Sequence, residues 1–221
     1  MITFEEFKQE WIAACHNRNA CKEGYAELLK SNSVPEILSV AKNHWFDVNH
    51  EMFFKVIEEN IERWYADLKT EFNQAGIWVN EEIYKGIVVV NNYNKDEPLC
   101  VRGSAKAYIF GASKVNGFDK SEIYCHSEGS EITLYNNSYG RIEKGRVLAT
   151  DRSNLEMFDG VNAVCMNYAT VTMNGGFLED KGHCEINAYL DSEIKPLIDN
   201  SSFKMYLHDN AKIVENYTQK R

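Results

Sequence analysis

Ser121-Glu122-Ile123-Tyr124-Cys125, Ser130-Glu131-Ile132-Thr133-Leu134, Ser153-Asn154-Leu155-Glu156-Met157, Ala169-Thr170-Val171-Thr172-Met173 and Cys184-Glu185-Ile186-Asn187-Ala188 repeat one phrase: a small residue, any residue, an aliphatic, any residue, another apolar. Ser201-Ser202-Phe203-Lys204-Met205 and Ala211-Lys212-Ile213 continue it, and Gly140-Arg141-Ile142 and Ser192-Glu193-Ile194 are partial copies. The gaps hold turn formers: Asn136-Asn137, Asp159-Gly160, Asn174-Gly175-Gly176, Asp191, Asp199-Asn200 and Asp209-Asn210. Within each phrase the alternation has period two, as in a strand with one face buried and one wet. A unit of about eight residues cannot bury its own inner face and needs neighbours stacked on it. Two such strands make one flattened coil of roughly sixteen to eighteen residues, so the stretch from Gly117 to Tyr217 predicts about six coils of a β-solenoid. Asp159-Gly160 and Asn174-Gly175 are also hairpin pairs, and an antiparallel β-sandwich or meander is the alternative. The phrase keeps its internal order, which hairpins do not require, and that favours the solenoid.

Upstream, the pattern is helical. Thr3 and Glu6 form a capping box, followed by Phe4, Phe7, Trp11 and Ile12 at helical spacing. A second short helix carries Tyr25, Leu28 and Leu29, and Ser33-Val34-Pro35-Glu36 caps a third that runs toward Asn43. Asn49 is placed to cap a long fourth helix with Met52, Phe53, Val56, Ile57, Ile61, Trp64, Tyr65, Leu68 and Phe72 recurring every three or four residues, ended by Gly76. The fold class is therefore α+β in sequence order, with a helical head or cap over residues 1–80 and a solenoid over residues 81–221. Ile83–Val90 reads as a strand buried on both faces, and Leu99–Val101 and Ala105–Ile109 as degenerate opening repeats. The end of a solenoid exposes an unpaired edge and an apolar lumen, and the head is expected to cover it.

The 221 residues carry a net charge of −9, split as −5 over residues 1–80 and −4 over residues 81–221. Lys and Arg are interleaved with Glu, so no basic face awaits a nucleic acid. No eighteen-residue apolar stretch occurs and Met1-Ile2-Thr3-Phe4-Glu5-Glu6 lacks the pattern of a leader, so no membrane partner and a cytoplasmic location are expected. The six cysteines include no Cys-x-x-Cys pair and are expected as free thiols.

The helical opening, with Asn19-Ala20-Cys21-Lys22-Glu23-Gly24-Tyr25 and then Leu28-Leu29, followed by small-x-aliphatic repeats, resembles uncharacterised proteins of bacteria and their phages. In those, a short helical head precedes octapeptides of the type Asp-Asn-Ala-x-Val-x-Ala-Tyr, and Asp209-Asn210-Ala211-Lys212-Ile213 is the nearest match here. The resemblance implies a head-plus-solenoid fold and carries no catalytic residues to transfer.

Strand parity sorts the chemistry. Cys125 and Cys184 take inward slots, so their neighbours His126 and His183 point outward and neither pair can share a metal. Cys15, His16 and Cys21 lack a fourth ligand. No nucleophile elbow, phosphate loop or dinucleotide fingerprint is present. Glu122, Glu131, Glu143, Glu156 and Glu185 face outward as a solvated ladder. Tyr135, Phe158, Tyr189 and Tyr206 each precede a turn, and form the candidate interaction surface, stacked if the coils are in register. The expectation is a non-catalytic interaction or structural protein with no cofactor and no metal, presenting a rigid surface to a protein partner or associating with itself. The alternative is a carbohydrate-binding, carbohydrate-active or acyltransferase-like β-helix.

Overall fold

Each phrase becomes a strand whose alternate side chains face an enclosed axis: Ser121, Ile123 and Cys125 are all fully buried, while Glu122 and Tyr124 look outward. The computed structural model describes residues 1–16, 21–44, 51–181, 183–196 and 204–214. Four helices, α1 (Phe4–His16), α2 (Lys22–Lys30), α3 (Val34–His44) and α4 (Glu51–Gln74), precede the strands. The strands wind into a parallel β-solenoid of about eight turns.

Two strands open it, the short β1 (Ile77–Val79) and the longer β2 (Ile83–Val90). One wall then stacks β3 (Leu99–Ile109), β5 (Glu122–Cys125), β7 (Tyr139–Ile142), β9 (Asn154–Phe158), β11 (Thr170–Asn174), β13 (Glu185–Tyr189) and β15 (Lys204–Leu207). The other stacks β4 (Lys114–Gly117), β6 (Glu131–Leu134), β8 (Arg146–Ala149), β10 (Asn162–Cys165), β12 (Phe177–Asp180), β14 (Glu193–Pro196) and β16 (Lys212–Ile213). Every strand pair among the described residues is parallel, which excludes the hairpin alternative. β3 belongs to both walls. Its first half pairs with β4, its second with β5, and it turns at Gly103, whose positive φ of 61° and contact with the Tyr84 carbonyl leave no room for a side chain.

Ile123, Gly140, Leu155, Val171, Ile186 and Met205 succeed one another along the lumen, fifteen to nineteen residues apart. From β5 to β16 this gives the six coils the spacing predicts. Gly140 departs from the phrase for a steric reason: a Cβ there would meet Leu134 from the facing wall at 2.6 Å. The irregular coil length is absorbed at turns that adopt positive φ, at Asn136, Asp151, Asn167 and Asp209 among others.

The head differs from its expected place. Its core of Phe7, Trp11, Leu28, Ile37, Ile61, Trp64 and Phe72 continues into Ile77, Val79, Ile87, Val89 and Tyr108, outward residues of β1, β2 and β3, and into Phe110 just after β3. It therefore lies against the outer face of the first turns, not across the mouth of the lumen. The mouth is lined by Trp78 and Tyr93, which pack on the solenoid core, and β1 pairs along the edge of β2. This arrangement explains why the second half of β2 is buried on both faces: Val88 and Val90 fill the lumen while Ile87 and Val89 meet the helices, whereas Tyr84 and Lys85 in the first half are exposed, against the expectation for the whole run. Rings interlock in the head, with Phe7 edge-on to Trp64 at 5.2 Å and Trp11 stacked on Trp64 at 5.3 Å.

The Thr3 box forms as read, with Glu6 accepting from the Thr3 amide at 2.8 Å and donating its own amide to Thr3 Oγ1. At Ser33 only half of it forms: Glu36 N–H reaches Ser33 Oγ, but the Glu36 carboxylate accepts from Asn32 instead. Asn49 lies outside the described residues, as do Asp199-Asn200 and Ser201–Phe203.

Candidate functional site

Two arrangements concern chemistry inside the solenoid. Cys125 and Cys184 are buried in the lumen as parity requires, and burial pushes the Cys125 thiol up to about 11. Cys165, Asp180 and Cys184 bring their ligand atoms within 4.8 Å of one another, the only such donor group among the described residues. Asp180 stands where the preceding coils place Leu134, Ala149 and Cys165, and Cys184 where they place Ser138, Ser153 and Ala169. The Cys165 thiol donates to Asp180 Oδ1 at 3.6 Å, and its hydrogen bond with Cys184, together with burial, holds it strongly in the protonated form.

On the outer face of the odd-numbered wall, His126 Nδ1 is 2.8 Å from Glu143 Oε2, with the ring stacked on Phe110 and the Arg141 guanidinium 3.6 Å from Glu143. His126 points away from the lumen, as parity requires, yet its side chain is only 8% exposed because Phe110 belongs to the core shared with the head. His183 is exposed and stacks on Tyr168 at 5.4 Å. The outward glutamates are engaged locally: Glu122 meets Lys106 at 3.0 Å, and Glu156 accepts from Tyr139 at 2.7 Å. That bond and, above all, burial raise the Tyr139 hydroxyl.

The four aromatic residues singled out by the sequence fall into three rows. Phe158 and Tyr189 share a row, separated by Asn174 of the intervening coil. Tyr135 follows an even-numbered strand on the opposite wall, and Tyr206 sits within β15 in register with Asn187. Their faces are taken by other partners: Tyr135 stacks on Phe118 at 4.8 Å, Tyr189 on His208 at 4.5 Å, and Arg141 lies 4.9 Å over Phe158. Tyr206 remains about half exposed.

The feature that sequence reasoning missed lies on the even-numbered wall. Leu148 of β8 and Val164 of β10 are in register on the outer face, and Phe177 of β12 is diagonal to Val164. Together with Thr133 and Ala163 they line a shallow groove of about 440 Å³. Glu131, Arg146, Asn162 and Glu179 rim it. At its corner a second depression of about 670 Å³ adds Glu128, Asp159 and Lys144. Lys144 is within 3.5 Å of Glu128 and Lys195 within 3.4 Å of Glu179, which leaves Glu131 and Asp159 against Arg146 and the rim acidic by one charge. A signal was present: Val147-Leu148, Val164-Cys165 and Phe177-Leu178 each break the alternation with an apolar residue in an outward slot. No helix among the described residues is long and apolar enough to cross a membrane. No family model matches the chain, and neither a curated protein nor a solved structure is detectably similar to it.

Proposed function

We propose that the protein is an interaction module of the bacterial or phage cytoplasm whose solenoid is non-catalytic. In this proposal the even-numbered wall docks a protein partner that inserts apolar side chains between Leu148, Val164 and Phe177 and sets basic residues against Glu131 and Asp159. The observation that carries this reading is an apolar groove on the outer face of a wall whose other outward slots are mostly polar. Stacked parallel strands are a stiff platform, so little conformational entropy opposes docking. Charge complementarity favours a basic flank on the partner, since the rim and the chain as a whole are acidic. The aromatic residues support a protein over a sugar: three of the four have a ring face already occupied within the chain. The resemblance of the head and repeats to bacterial and phage proteins supports the setting.

The test is selection of a displayed random-peptide library against the full chain, followed by titration of synthesised winners. Enriched peptides should pair apolar anchors with Lys or Arg, and Val164→Glu should weaken them at least about tenfold. Thr172→Glu, on the opposite wall, should leave them unchanged. Peptides that bind the Val164→Glu chain as well as the unsubstituted one would sink the reading.

A further inference from the structure

The head holds a group of side chains that the docking surface does not use. Cys21 stands at the N-cap of α2, where its Sγ accepts the Gly24 amide at 3.3 Å. His44, the last residue of α3, brings Nδ1 to 3.6 Å from that sulfur. The other ring nitrogen, Nε2, is 3.2 Å from Glu27 Oε2, three residues beyond Gly24 on α2. A carboxylate only accepts, so Nε2 carries the proton and Nδ1 offers its lone pair to the Cys21 thiol. The chain makes room for this contact. A Cβ on Gly24 would come within 3.0 Å of both Cys21 Sγ and the His44 side chain. Glycine in a helix interior costs about 1 kcal/mol against alanine, so close approach is what that position serves. Cys21 is exposed, whereas Cys15, Cys125, Cys165 and Cys184 are buried. The first-turn amides of α2 at Lys22 and Glu23 have no acceptor within the helix.

We propose that Cys21, His44 and Glu27 form a thiol nucleophile site that is acylated by ester or thioester donors. His44 Nδ1 takes the thiol proton as Sγ attacks the carbonyl carbon, and the resulting oxyanion faces the first-turn amides of α2. The carbon–leaving-group bond then breaks, and His44 returns the proton to the departing oxygen or sulfur, leaving Cys21 as an acyl thioester. Water adds to that thioester with His44 as base, the carbon–sulfur bond breaks, and the carboxylic acid and the free thiol are regenerated. Glu27 is the positioning residue, fixing the imidazole tautomer. The site is independent of the groove on the even-numbered wall.

The probe is p-nitrophenyl acetate with the full chain carrying Cys100→Ser, which removes the other partly accessible thiol. The expected result is one acetyl group per chain, located on Cys21 by peptide mass spectrometry, followed by slow turnover. General-base assistance sets the scale: His44→Gln should slow acetylation about a hundredfold and Glu27→Gln about tenfold, with the far-ultraviolet dichroism unchanged. A thiol that only caps α2 would be acetylated at the same rate in all three chains, and that outcome overturns the proposal. Should His44→Gln unfold the head, the half-exposed Glu27→Gln variant decides alone: an unchanged rate refutes the site, a loss of about tenfold upholds it.

Discussion

Leu190 and Ser153 show how single residues meet the demands of a winding chain. Leu190 occupies a turn with φ of 54°, more than half exposed, so it bears the left-handed conformation with little burial in return. Leu190→Asn should raise stability by roughly 1 kcal/mol, seen as a higher urea midpoint with an unchanged slope. Ser121, Ser138 and Ser153 line one corner of the lumen, and their buried hydroxyls have no hydrogen-bond partner among the described residues. The next coil puts Ala169 in the same row, so the corner demands smallness and not a hydroxyl. Ser153→Ala should therefore stabilise the protein, by about 1 kcal/mol in chemical unfolding. Ser130 and Ser192, on the other corner, are different: Ser130 Oγ accepts from Ser113 and Ser192 Oγ from Gly175 across coils, and replacing either with alanine should lower the midpoint.

At the scale of elements, the buried thiols give the strands and helices an alkaline weakness. Burial holds Cys125 up to about 11 and Cys15 up to about 12, well above the value of about 8.5 of an unfolded chain. Their contribution to stability is whole below about pH 8.5 and is lost as pH rises through about 11 to 12, with a limit of about 1.4 kcal/mol per pH unit for each thiol. Urea midpoints measured between pH 8 and 10.5 should fall, and Cys125→Ala should flatten that limb. Strand positions and inward slots were legible because the phrase is short and ordered: Ser121, Ile123 and Cys125 predict their own burial. Two placements were not. The head's seat on the outer face depends on which outward residues are apolar, and Tyr108 and Phe110 were hidden in the continuous apolar run Ala107-Tyr108-Ile109-Phe110. The rows of Tyr135, Phe158, Tyr189 and Tyr206 depend on which wall each strand joins, and one phrase serves both walls. The proximity of Cys21 to His44 is a contact between two helices, which no spacing within either reveals.

For the whole molecule, stability is shared along the stack while the head is tied to one end of it. Removing residues 1–76 would expose Ile87, Val89, Tyr108 and Phe110 together, a contiguous apolar face. Such a chain should aggregate, and Tyr108→Lys with Ile87→Lys should restore a monomer by light scattering if the solenoid folds without the helices. Loss of either wall's last strand is a milder matter, because each coil touches chiefly its neighbours. The parallel register has a genetic corollary. An in-frame duplication of the sixteen codons from Leu155 to Thr170 would add one more storey of about 4.8 Å without disturbing the helices below or the final turn above. Length in this architecture is consequently an adjustable trait, open to change by recombination between its own near-copies.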